Sequence, residues 1–173
     1  MDPIRVLLCH QHPIIRSGWR VLLENEPEIR VIGEAANGPE AVALADYWQP
    51  DIVLLDIKLA HTTGILVARE IAAKAKHVGV VFVSVHSDEE YVSEAFRAGA
   101  RGYVLADSAQ TDLIQAIRAV TKGSRFLSPS VTSELLSEYA RRNRSANEPL
   151  SESERKLFCL LEGIQAFCNS RRD

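Results

Sequence analysis

Asp51-Ile52-Val53-Leu54-Leu55-Asp56 decides the fold. The apolar run inside it is too short for a helix, and its branched side chains suit a strand buried on both faces. It ends in a carboxylate, Asp56. A similar run, Val6-Leu7-Leu8-Cys9, ends in His10-Gln11-His12-Pro13, and two more end at Val83-Ser84-Val85 and Gly102-Tyr103-Val104-Leu105-Ala106. Working outward, residues 4–9, 30–33, 52–55, 78–85 and 103–105 are predicted strands. Residues 14–25, 39–47, 66–73, 88–98 and 109–121 are predicted helices. The last carries Leu113, Ile114, Ile117 and Val120 on one helical face. Strict alternation of strand and helix specifies an α/β fold, an open parallel sheet with helices on both sides. Such sheets carry their functional groups at the carboxyl ends of the strands. His10, Gln11, Asp56, Ser84 and Ala106 all fall there.

At 173 residues the chain holds one full domain and a remainder, or two small domains. With 46% apolar and 25% charged residues, an ordinary core is available. A net charge of −3 gives no overall pull toward nucleic acid or membrane. No apolar run approaches the length of a membrane span, and Met1-Asp2-Pro3-Ile4-Arg5 lacks the form of a signal peptide. The expected location is the cytoplasm. The 3 cysteines, Cys9, Cys159 and Cys168, are scattered and read as reduced thiols, with Cys9 a small core residue.

Over about residues 1–125, this layout resembles the receiver domain of a two-component response regulator, closest to the LuxR/NarL class. The resemblance implies a flavodoxin/CheY-like fold, with a five-stranded parallel sheet in the order 2-1-3-4-5, followed here by C-terminal helices. It makes Asp56 the phosphoacceptor position. The family ends its first strand in two acidic residues that hold Mg²⁺; His10 and Gln11 stand there instead. The family's lysine after the last strand is Ala106. Leu59-Ala60 replaces the family's Met-Pro, whereas Gly64 matches its turn glycine. Ser84 and Tyr103 match the family's switch pair, a hydroxyl that meets the phosphoryl group and an aromatic ring that swings inward.

Moving a phosphoryl group onto a carboxylate requires several negative oxygens to be neutralised. Mg²⁺ does this from a cage of oxygen ligands. His10 offers nitrogen, Gln11 one neutral oxygen, and Ala106 nothing. The expectation is a pseudo-receiver with weak or no phosphorylation of Asp56, no cofactor, and weak or absent Mg²⁺ binding. Lys58 either lies in solvent or folds back onto Asp56. His10, His12 and His61 near Asp56 raise a transition-metal site, but His12-Pro13 is an ordinary dipeptide at this place in LuxR-type receivers. A hydrogen bond from His10 to Asp56, responsive to pH, is the stronger expectation. An enzyme is not expected. No Gly-x-Gly-x-x-Gly follows the first strand, and Lys58 stands where a haloacid-dehalogenase-type phosphatase needs a second Asp.

The organisation read from the chain is 1–125 receiver-like, 126–149 a linker helix and polar linker, and 150–173 the remnant of a helix-turn-helix domain. Ser128-Pro129-Ser130 opens a helix with an apolar stripe of Val131, Leu135, Leu136 and Tyr139. Ser151 and Glu154 have capping-box spacing ahead of Leu157, Leu160, Leu161 and Ile164. That segment resembles the first helix of a LuxR-type DNA-binding domain. The recognition helix has no residues to be built from, so no specific nucleic-acid binding is expected. The two apolar faces need a cover, and a homodimer through the C-terminal helices is the expected solution. The expected partners are proteins of a bacterial signalling pathway. The alternative is a phosphorylatable LuxR-class response regulator, DNA-binding if the chain is a fragment of a longer transcription factor.

Overall fold

The computed structural model describes residues 2–108, 110–135 and 137. Strand β1 (Ile4–Cys9) leads to helix α1 (Pro13–Glu24), β2 (Ile29–Ala35) and α2 (Gly38–Trp48). Then come β3 (Ile52–Leu55), the short strands β4 (Lys58–Leu59) and β5 (Thr62–Thr63), and α3 (Gly64–Lys74). The rest is β6 (Gly79–Ser84), α4 (Glu89–Arg97), β7 (Gly102–Leu105), α5 (Gln110–Thr121) and β8 (Phe126–Leu127). Residues 129–135 are again helical.

The main sheet runs β2-β1-β3-β6-β7-β8 with every pair parallel. Its first five members have the expected 2-1-3-4-5 order. The sixth strand corrects the expected count. Phe126-Leu127 is too short to show periodicity, and backbone pairing reveals it: Phe126 N–H donates to the Arg101 carbonyl at 2.9 Å and Ser128 N–H to the Tyr103 carbonyl at 3.0 Å. The antiparallel hairpin β4–β5 was likewise silent in the sequence.

Every residue of β3, β6 and β7 is buried, which explains their unbroken apolar character. One face of the sheet is covered by α1 and α5 through Trp19, Leu23, Leu113, Ile117 and Val120. The other is covered by α2, α3 and α4 through Val42, Val67, Ile71, Val92 and Phe96. Local signals set the helix starts. Pro13 opens α1, where its missing N–H costs no bond. Asn37 caps α2 by accepting from Glu40 N–H at 3.0 Å, while the Glu40 carboxylate accepts from Ala36 N–H at 2.8 Å. Thr63 caps α3 through Leu66 N–H. Gly64 is required behind Asp56, because a Cβ there would run into the Asp56 carbonyl oxygen and the Phe82 ring.

Val131 and Leu135 belong to the same core cluster as Phe96, Tyr103 and Leu127, at 0% and 3% exposure. The chain's own α/β domain covers this part of the stripe. The expected use of these two residues in a dimer contact is therefore corrected. The side chain of Leu136, and all of Tyr139, Leu157, Leu160, Leu161, Ile164, Cys159 and Cys168, lie outside the described residues. Among the described residues, no helix is long and apolar enough to cross a membrane.

Candidate functional site

The parallel sheet brings His10 and Gln11 after β1, Asp56 after β3, Ser84 at the end of β6 and Ala106 after β7 to one edge. Asp56 sits between its neighbours with 20% of its side chain exposed, beside a His10 side chain at 11%. The imidazole Nε2 lies 3.3 Å from the Asp56 carboxylate. Its other nitrogen, Nδ1, accepts the His12 backbone N–H at 3.0 Å. A nitrogen that accepts carries no proton, so in the neutral ring the proton sits on Nε2, the nitrogen beside Asp56. Burial holds His10 below the ordinary histidine range, His12 and Arg16 push the same way, and Asp56 opposes them. The contact is thus the close approach of a neutral imidazole to a carboxylate at neutral pH, not an ion pair. Trp19 sets its ring edge against His10 with centroids 5.4 Å apart at 89°, which fixes the imidazole plane.

Arg16 was not singled out by sequence reasoning, yet it organises this corner. Its guanidinium donates to the His10 carbonyl at 2.6 Å and to Glu34 at 2.9 Å. Arg20 donates to the same Glu34 carboxylate at 2.8 Å. Hydrogen bonds from Arg16 and then Arg20 hold the Glu34 carboxyl below its usual range. The β1–α1 loop is therefore braced against β2 by a partly buried cation. Gln11 is half-buried, with its amide nitrogen 3.3 Å from His12 Nε2.

Lys58 is exposed on β4 and makes no ion pair with Asp56 among the described residues, so the solvated alternative holds. Ala106 is exposed and is tied to β6 only through its backbone, its N–H donating to the Ser84 carbonyl at 2.8 Å. His61 occupies the hairpin turn, exposed and with a φ of 64°. Among the described residues, no three His, Cys, Asp or Glu side chains gather as a metal site, so His61 does not join His10 and Asp56. The donors present do not suit Mg²⁺ either. The family's ion asks for several oxygens, and here an imidazole stands 3.3 Å from the Asp56 carboxylate.

The switch pair is linked through the backbone of a third residue, His86. Tyr103 is fully buried, and its hydroxyl donates to the His86 carbonyl at 2.7 Å. His86 N–H donates to Ser84 Oγ at 3.1 Å. Burial pushes the Tyr103 phenol up to about 12, while the nearby Ser84 hydroxyl works in the opposite direction. The His86 ring stacks on Tyr91 of α4 at 4.6 Å. Past β7, the buried hydroxyl of Ser128 accepts Leu105 N–H at 3.2 Å and Ser108 O–H at 3.3 Å.

A parallel sheet of this order with an aspartate at the end of its third strand is a receiver-type site. Comparison with known proteins agrees: residues 6–118 match the response regulator receiver domain family, and the chain belongs to it. It is 33% identical to the transcriptional regulatory protein DegU of Brevibacillus brevis over 152 residues, covering 88% of this chain and 63% of that protein. It is 33% identical to the nitrate/nitrite response regulator NarL of Escherichia coli strain K12, over 92% of this chain and 76% of that protein. Among solved structures, a LuxR-family two-component response regulator from Aurantimonas sp. SI85-9A1 superposes with a TM-score of 0.77 at 35% identity, covering 80% of this chain and 99% of the other. The signal receiver domain of NarL from Mycobacterium tuberculosis gives 0.68 at 30% identity, covering 71% and 99%. The protein is a two-component response regulator of the LuxR/NarL class, and these relatives are regulators, not enzymes.

Proposed function

We propose that this response regulator works as a pseudo-receiver: a signalling module that acts through protein contacts, with weak or no phosphorylation of Asp56 and weak or absent Mg²⁺ binding. One observation carries the reading. The His10 imidazole stands 3.3 Å from the Asp56 carboxylate, where the family holds an acidic metal ligand. Ala106 supplies no cation on the other side. A phosphoryl group arriving at Asp56 would add charge with neither metal nor lysine to offset it.

The test is a titration of the whole chain with Mg²⁺ and then beryllofluoride, followed by calorimetry and by amide NMR. The reading expects no saturable beryllofluoride complex at millimolar concentrations. A tight, Mg²⁺-dependent complex at Asp56 would overturn it.

A homodimer through the C-terminal segment remains part of the proposal, with Leu136, Tyr139 and the residues of 150–173 as candidates for the contact, because Val131 and Leu135 are buried within one chain. The second reading is a LuxR-class regulator of transcription in which residues 150 onward open a DNA-binding domain. The names of its relatives favour it, since DegU is a transcriptional regulatory protein. A footprint on promoter DNA that persists at physiological salt, made with the product of the full open reading frame, would support that reading.

A further inference from the structure

A groove of about 610 Å³ opens between α2, α3 and the β4–β5 hairpin, and neither His10 nor Asp56 lines it. Its volume is that of a small-molecule site. The floor is apolar, with Val42 of α2 and Val67 of α3 at 6% and 3% exposure. One end is closed by close packing: a Cβ on Gly38 would lie 2.5 Å from a Val67 methyl and 2.8 Å from a Thr62 methyl. The third wall is the hairpin turn, Ala60-His61. His61 holds it with a φ of 64°, a sparsely populated conformation for a residue other than glycine. Backbone kept in such a conformation points to a function for the turn.

The rim is charged. Asp46 comes from α2, and Glu70 and Lys74 come from α3, all exposed. Glu70 and Lys74 are four residues apart on one helix, the spacing that ordinarily pairs them. Among the described residues, however, none of these three side chains makes an ion pair. Two carboxylates face one ammonium, so negative charge is in excess at the mouth. An anion would gain Lys74 and meet both carboxylates. A small polar cation would gain nothing from Val42 and Val67. A cation with an apolar body gains from both the rim and the floor.

We propose that the α2–α3–hairpin groove is a binding site for a small organic amine, its ammonium held by Asp46 and Glu70 and its apolar body seated on Val42 and Val67. The bound amine touches the hairpin that directly follows Asp56 in the chain. The site goes beyond the pseudo-receiver reading and does not depend on it.

The experiment titrates the whole ¹⁵N-labelled chain at low salt with three probes of one shape: phenethylamine, 2-phenylethanol and 3-phenylpropanoate. A pH near 8 keeps an ordinary imidazole neutral and the amine charged. Phenethylamine is expected to give saturable amide shifts at millimolar concentration, centred on residues 37–46, 60–62 and 67–74. The alcohol binds more weakly and the carboxylate most weakly. Asp46→Asn and Glu70→Gln each weaken amine binding by up to about fivefold, the range of an exposed ion pair, and Lys74→Gln tightens it. All three side chains are exposed, so the fold tolerates these changes. No saturable shift with phenethylamine, shifts centred elsewhere, binding of the carboxylate as tight as that of the amine, or indifference to all three substitutions would each overturn the proposal. Failure of the pseudo-receiver reading looks different: beryllofluoride then binds at Asp56, whatever the amine does in the groove.

Discussion

Leu135→Ala tests where the segment after α5 belongs. Leu135 is 3% exposed and lies in the cluster that contains Phe96, Tyr103, Leu127 and Val131. Cutting a buried leucine to alanine removes its transfer free energy and leaves a cavity, together about 2–5 kcal/mol. For a chain of 173 residues each kcal/mol moves the melting temperature by roughly 2–4 °C. The expected drop is therefore about 4–20 °C. Urea unfolding at two protein concentrations tenfold apart separates the two possible covers. If one chain buries Leu135 in its own core, the loss is the same at both concentrations. If a second copy provides the cover, the loss depends on concentration by mass action. A loss below about 0.5 kcal/mol, the range of surface substitutions, or a concentration-dependent loss would refute the assignment of this segment to the receiver core.

Titration of His10 by imidazole NMR is expected to give an inflection below 6.5, because burial disfavours its charged form. Between that inflection and 6.5 the unfolded chain binds more protons, so this residue's contribution to stability is lost as pH falls through the window. Asp56 is the only cause raising the His10 value, so Asp56→Ala is expected to lower the inflection further; an increase would contradict the described contact. Cys9 is fully buried, with burial pushing its thiol up to about 12. It should resist alkylation in native protein and react only on unfolding, as peptide mass mapping would show. Rapid native labelling would place Cys9 elsewhere.

Much of this was legible in the sequence because parallel strands buried on both faces announce themselves as apolar runs. The runs at 4–9 and 52–55 coincide with β1 and β3, and the approach of His10 to within 3.3 Å of Asp56 follows from two runs ending side by side. What escaped was carried by backbone or by tertiary placement. β8 is two residues long, so no period of two can be read from it. Arg16 carries no signal of its own in the sequence, and only its approach to the His10 carbonyl and Glu34 gives it a role. His86 acts through its main chain, which its identity does not encode. Ser128 was read as part of a helix start, and the buried amide of Leu105 gives it a second role.

The measurement closest to the central claim is the stoichiometry of Asp56 phosphorylation after incubation with acetyl phosphate and Mg²⁺, read by intact and peptide mass. It compares the unaltered chain with the variant carrying His10→Asp, Gln11→Asp and Ala106→Lys. The account predicts no modified Asp56 in the first and accumulation of the modified form in the second, with Mg²⁺ affinity rising in parallel. Stoichiometric modification of Asp56 in the unaltered chain would contradict it.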